Sequence, residues 1–460
     1  MKTHTQNLAV PQENVSNVNQ YIIVFLCISL AVWMYVPIIG IFPLLLFIQL
    51  NLLNNKNPGK KIGLINNLLL ILVVFTICVF FTSYTIYSDL IVYVQTYEQL
   101  GNMNAFEATV SYGTGTEFIP FLIAYLVYHL TSGSVYAYLF VHALIINVLI
   151  VFVISKRLSR KYYPVILMLV FSAPFYYWQI IIMRHALSNT FLMAAISFME
   201  SSSISFLSFL ILSFFSHSSN IINICILSYF KFSEFNIFYF KNNFSVVKNS
   251  KKTKSTKIKF ISLIFVIILY VFLSGGVSIS AFLPLILPIL SNFVQINSGL
   301  ENRLTNYDNY GKMIGGSIFD ITIFIFMTIT VIFFFLKRKE FSRKLLSLIT
   351  IFLLQMISYF YGTVSTINWR IYYLLLSMSG LFYLPLIEME KGLSPINGRN
   401  YKNNIFIISI AIVLAYNILM LFRGLAGGWI VAKEHIFFNG IPLKNTIFDY
   451  IVFFINANTT

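Results

Sequence analysis

Apolar runs long enough to cross a lipid bilayer recur along almost the whole of this chain, and its positive charge is largely confined to short stretches between some of them. A helix needs roughly 17–25 predominantly apolar residues to cross a hydrocarbon core about 30 Å thick. Within that core every backbone polar group must be satisfied internally, a demand that helices meet. The expected fold is therefore all-α, a polytopic integral membrane protein. Only 10% of its 460 residues are charged, whereas a soluble globule carries about 25%.

The basic stretches are Lys56, Lys60 and Lys61; Lys156, Arg157, Arg160 and Lys161; the segment Lys231 to Lys259; the segment Lys337 to Lys344; and Lys391, Arg399 and Lys402. By the positive-inside rule they mark the cytoplasmic side. The formal net charge of +16 then points to anionic lipid headgroups, not to nucleic acid. Arg184, Arg303, Lys312, Arg370, Arg423, Lys433 and Lys444 fall to the opposite, outer side.

The expected organisation is a polar N-terminal tail at 1–20, one multi-pass domain at 21–422 and an outer-face C-terminal segment at 423–460. Residues 21–53 form one long helix or two short ones broken near Pro37 to Gly40. Further spans are predicted near 63–83, 134–154, 163–182, 186–200, 204–216, 219–230, 258–274, 317–336, 345–361, 370–388 and 404–422, which makes about twelve or thirteen transmembrane helices. All five basic stretches share one side only if 118–131 and 277–293 do not cross, so both are assigned as outer-face re-entrant or interfacial elements. Residues 84–117 and 291–316 are outer segments, and 231–259 is a basic cytoplasmic loop. Cys27, Cys78 and Cys225 lie in apolar runs without metal spacing and are read as packing residues. Nucleotide-binding, zinc and nucleophile-elbow motifs are absent from the sequence, so neither a cofactor nor a metal is expected.

Several polar residues stand at the edges of apolar runs. Arg184, in Met183-Arg184-His185-Ala186, either snorkels to headgroups or clamps a phosphate through its planar donors. Arg370, flanked by Trp369 and Tyr372, suits an aromatic interfacial belt or a sugar site. Arg303 precedes Tyr307 in a mixture that also suits sugar binding. Asp89, Tyr93 and Tyr97 share one face of a helix. The carboxylate there is a first-turn residue favoured by the helix dipole or a base. Glu117 caps the element at 118–131 or takes part in chemistry. His217 is a polar outer turn, or a site residue if 186–216 folds as a hairpin that returns it to Arg184.

These residues occur in an order similar to that of the EpsG-like group of bacterial Wzy-type polysaccharide polymerases. The series runs Asp89 with Tyr93 and Tyr97, Glu117-Phe118, Gly133, Arg157-Leu158-Ser159, Arg184-His185-Ala186-Leu187, His217-Ser218-Ser219, then Arg370 and Tyr372, and covers roughly residues 63–390. The pattern departs from the family's at three points. No Arg lies between Thr82 and Ser88, Phe118 and Ile119 follow Glu117 where Pro-Gly is common, and His185 follows Arg184 where Gln is common.

The resemblance implies a GT-C-like membrane glycosyltransferase of the bacterial cytoplasmic membrane. It would join oligosaccharide units carried on undecaprenyl pyrophosphate, as donor and acceptor, into a capsule, exopolysaccharide or O-antigen, with a chain-length regulator as a further partner. In that scheme Asp89, Arg184, His217 and Arg370 are catalytic. Tyr93, Tyr97, Glu117, His185, Arg303, Tyr307, Trp369 and Tyr372 bind substrate. A flippase of lipid-linked oligosaccharide and a glycan ligase using the same donor are the alternatives.

Overall fold

The computed structural model describes residues 13–54, 60–82, 89–110, 117–158 and 162–232, with single positions at 351 and between 411 and 455. The predicted elements at 258–274, 277–293, 317–336 and 370–388, and the segment 291–316, lie outside the described residues, as do most of 231–259, 345–361, 404–422 and 423–460. Every regular element among the described residues is helical. Two of these helices, Gly63–Thr82 and Val135–Arg157, are long and apolar enough to cross a membrane, and five more are apolar but shorter.

The stretch 21–53 forms two helices, α1 (Glu13–Tyr35) and α2 (Pro37–Asn54), folded back on each other about Val36. Ser29 Oγ lies 3.4 Å from the Pro43 carbonyl across the hairpin. Gly40 makes the close approach possible, because a Cβ there would collide with the backbone of Trp33. Trp33 Nε1 donates to Thr76 Oγ1 at 2.7 Å, tying the hairpin to α3 (Lys60–Thr82).

The stretch 84–117, expected to be an outer segment, contains two short helices among its described residues, α4 (Asp89–Gln99) and α5 (Ala105–Val110). A reciprocal capping pair starts α5: the Asn104 amide donates to Glu107 and the Glu107 amide to the Asn104 side chain. Helix α6 (Phe118–Leu130) has 13 residues, about 20 Å of rise, well short of the hydrocarbon core. The Ser132-Gly133 turn, both residues at positive φ, leads into α7 (Val135–Phe152). Ser134 caps α7 by accepting from the Ala137 amide.

The predicted span 163–182 is not one α-helix. Helix α8 (Tyr163–Ser172) stops at Ala173, and a 3-10 stretch continues from Pro174 to Ile180. Proline lacks the amide that would extend the ladder and drives its predecessor to extended backbone; Ala173 has ψ 122. Helix α8 is buried almost all round, as a helix apolar on every face should be.

Helices α9 (Met183–Phe198) and α10 (Ser203–Ser216) form a tight hairpin, followed by a 3-10 turn at Ser218–Asn220 and α11 (Ile221–Phe232). Small and hydroxyl residues, among them Ala186, Ser188, Ala195 and Ser213, are buried along it. In lipid such residues stand in for a hydrophobic drive, letting helices approach and exchange hydrogen bonds. Helices α7 and α9 run parallel. His142 Nε2 lies 3.1 Å from the Met183 carbonyl at one end. At the other, the Arg157 guanidinium stacks on Phe198 at 4.1 Å. Lys231, at the end of α11, donates to the Met199 carbonyl at that same end. The bundle thus has a basic end, holding Arg157 and Lys231, and an opposite end where α9 begins and α10 finishes.

Candidate active site

The opposite end is built around one carboxylate. Glu117 stands at the N-cap position of α6, but its side chain makes no capping bond. It reaches the α9–α10 hairpin instead. Arg184 Nη1 donates to Glu117 Oε2 at 2.5 Å. His217 Nδ1 donates to Glu117 Oε1 at 2.6 Å. The Ser218 amide and hydroxyl also donate to Oε1, both at 3.1 Å. Arg184 Nε donates to the Tyr93 hydroxyl at 3.2 Å, and the guanidinium lies 5.5 Å from that ring's centre. Four separate elements, α4, α6, α9 and the turn after α10, therefore meet in one cluster.

Local structure explains why the carboxylate is welcome there. Met183 and Arg184 open α9, which has no side-chain cap, and Ser218 opens the turn that runs into α11. Helix N-termini present unpaired amides and a positive dipole end. Glu117 accepts the Ser218 amide at the second of these ends and, at the first, balances Arg184, whose cation is wrongly placed for the α9 dipole. Exposure of the Glu117 side chain is 5% and of Arg184 12%. Burial pushes the Glu117 carboxyl up, but the His217 bond and charge, the Arg184 charge and the Ser218 amide outweigh it and hold the carboxyl down at about 2. An ionised carboxylate only accepts, so His217 carries a proton on Nδ1. In the neutral imidazole Nε2 is then the acceptor, the tautomer a base needs.

The structure brings together Tyr93, Glu117, Arg184 and His217 of the sequence-predicted residues. His185 is buried beside them, its ring 4.9 Å from that of His217. Asp89 opens α4 one turn before Tyr93 and is partly exposed. Tyr97 faces another cluster: it stacks on Tyr138 at 4.5 Å, meets Tyr128 edge-on, and donates to the Ser134 carbonyl at 3.1 Å. Arg303, Tyr307, Trp369, Arg370 and Tyr372 lie outside the described residues. Ser218 belongs to the His217-Ser218-Ser219 stretch of the sequence pattern, but nothing in the sequence marks it as a site residue apart from His217. The roles of Ser188 and Asn220, buried behind His217, also had no sequence signal beyond polarity in an apolar setting.

A family model described as the EpsG family matches residues 66–430. The matched span contains the whole cluster as well as Arg303 and Arg370. No curated protein and no solved structure matches the chain. The match covers well over half of the sequence, and the chain belongs to the EpsG family, membrane proteins of the polysaccharide-polymerase type.

Proposed function

We propose that this protein polymerises oligosaccharide repeat units linked to undecaprenyl pyrophosphate into a surface polysaccharide, by glycosyl transfer on the outer face of the bacterial cytoplasmic membrane. The observation that carries the reading is the Glu117–Arg184–His217 cluster at the end of the bundle opposite Arg157 and Lys231. Basic residues favour the cytoplasmic side, which supports an outward-facing cluster. Helix α9 has 16 residues, so the two ends are separated by about 24 Å.

In the proposed reaction a hydroxyl of the acceptor unit attacks the anomeric carbon of the donor. The bond from that carbon to the pyrophosphate oxygen breaks, and its electron pair leaves with the lipid pyrophosphate. Arg184 and the open N-terminus of α9 receive the developing negative charge; preorganised charge of this kind is the usual main source of catalysis. His217 Nε2 takes the proton of the attacking hydroxyl. Glu117 stays ionised, fixes the imidazole through Nδ1 and stabilises the imidazolium, as a carboxylate does in hydrolase triads. Asp89, Tyr93 and His185 are proposed to orient sugar hydroxyls. Arg370 with Trp369 and Tyr372, and Arg303 with Tyr307, are proposed as further pyrophosphate and sugar contacts. Helix-terminal placement of Arg184, rather than a position in the middle of its helix, favours this over transport.

The test is made in producing cells. Cells whose only copy carries Arg184→Ala, expressed at the parent's level, accumulate single lipid-linked units and make no long polymer. Long polymer from that variant overturns the proposal.

A further inference from the structure

Behind His217 the α9–α10 hairpin and the turn after it hold a second polar array, made by Ser188, Asn189, Ser213, Asn220 and Asn223. Ser188 Oγ donates to the Ser213 carbonyl at 2.6 Å, and that carbonyl also accepts the backbone amide of His217 at 3.1 Å. Asn220 Nδ2 donates to Ser188 Oγ at 2.7 Å and to Asn189 Oδ1 at 2.8 Å. Asn223 Nδ2 donates to Asn220 Oδ1 at 3.0 Å. Ser213 Oγ returns a bond to the Ser188 carbonyl at 2.9 Å. All five residues are buried.

The placement of this array matters more than its count of bonds. Ser188 lies one turn after Arg184 on the same face of α9. Its hydroxyl engages the carbonyl at which α10 ends, and Asn220 closes the array from the far side of the His217 turn. The amide of His217 makes the last bond of the α10 ladder, but its own backbone is extended, φ −161 and ψ 113, so the helix alone does not fix the direction of its imidazole. Buried polar networks rigidify and specify one arrangement where they are satisfied; here the Ser188, Ser213 and Asn220 side chains bond across the two helices and the turn, while Asn189 Nδ2 has no partner among the described residues.

We propose that Ser188 and Asn220 are positioning residues: they lock the end of α10 to α9 and thereby set the reach of the His217 imidazole relative to the Arg184 guanidinium. This rests on the reading of His217 as the base. Neither residue touches substrate in this account. Removing the Ser188 hydroxyl takes from Asn220 one of its two acceptors, leaving Asn189 Oδ1, and takes from the Ser213 carbonyl its side-chain donor, so the turn carrying His217 is held to α9 more loosely. A displacement of about 1 Å of a catalytic group lowers turnover on the order of 100-fold.

The experiment uses the full-length protein in detergent with a lipid-pyrophosphate-linked repeat unit. Ser188→Ala lowers kcat on the order of 100-fold with KM unchanged, and Asn220→Ala, the second variant should the first not fold, does the same. In a His217→Gln background neither substitution lowers kcat further, because the group they position is gone; additive losses would mark a merely structural role and overturn the inference. A second arm needs no turnover. Selective 15N-histidine NMR, with the His217 signal identified by its loss in His217→Gln, shows a fixed Nδ1-protonated tautomer in the parent and mixed tautomers in Ser188→Ala and Asn220→Ala. An unchanged His217 signal in the folded variants overturns the inference. A parent protein that elongates nothing while the NMR change is present overturns the polymerase reading and leaves the lock standing.

Discussion

Arg184 occupies the second position of α9, where the helix dipole disfavours a cation, and Glu117, 67 residues earlier in the chain, holds it there at 2.5 Å. Each group is misplaced without the other. Glu117 is buried and Arg184 largely so, and removing one partner of a fully buried pair costs about 3–5 kcal/mol, an upper bound here. Glu117→Gln and Arg184→Met each lower the thermal midpoint in detergent. The double variant recovers part of that loss, since no unpaired charge remains. A double variant as unstable as the sum of the two singles would show that the pair is not coupled.

The pH dependence of stability follows from the depressed carboxyl of Glu117. Its folded value of about 2 lies below the ordinary Glu value of about 4.3. The stabilisation is therefore complete above about pH 4.3 and is lost as pH falls from there toward the folded value. The gap in thermal midpoint between parent and Glu117→Gln is expected to narrow as pH falls below about 4.3. A gap that widens in acid contradicts the ion-pair assignment.

Tyr93 supports the same guanidinium from α4. Tyr93→Phe keeps the ring against Arg184 and removes the hydroxyl that accepts from Nε. A hydrogen bond to a charged group contributes about 1.5–3 kcal/mol to the folded state, so the thermal midpoint is expected to fall and, with the guanidinium less firmly held, elongation to slow. Steady-state kinetics of Tyr93→Phe check this, and an unchanged rate would remove Tyr93 from the site.

The two ends of the bundle make a topology prediction. After Cys27, Cys78 and Cys225 are replaced, a single cysteine at Asn102, in the exposed link between α4 and α5, should react with a membrane-impermeant maleimide in intact cells. One at Ser201, in the exposed turn beside Met199 and Lys231, should react only after lysis. The reverse pattern would turn the cluster inward.

Arg184 and His217 were legible as candidates because each interrupts apolar sequence at the edge of a run. The hairpin expected over 186–216 does bring the two ends together. Their common partner was not legible. Glu117 lies 67 residues from one and 100 from the other, and its place before α6 reads equally as a cap. Pattern reports which residues are polar, not which meet across helices. Ser188 and Asn220 were invisible for that reason, since buried serines and asparagines are ordinary in helix packing. Hydropathy runs on unbroken across Ala173, and only Pro174 marks the break there. Over 21–53 the chain breaks at Val36, before Pro37, and the fold-back also needs Gly40, whose missing side chain matters only because Trp33 lies against it.

The central claim is that Arg184 and His217 perform glycosyl transfer from a lipid pyrophosphate. The most direct test supplies the purified protein with a lipid-pyrophosphate-linked repeat unit and follows chain length by gel together with release of the lipid pyrophosphate. The parent is predicted to make a ladder of products with one lipid pyrophosphate released per linkage, Arg184→Ala to release none, and His217→Gln to release it far more slowly. Ladders of equal length and rate from parent and both variants would contradict the account.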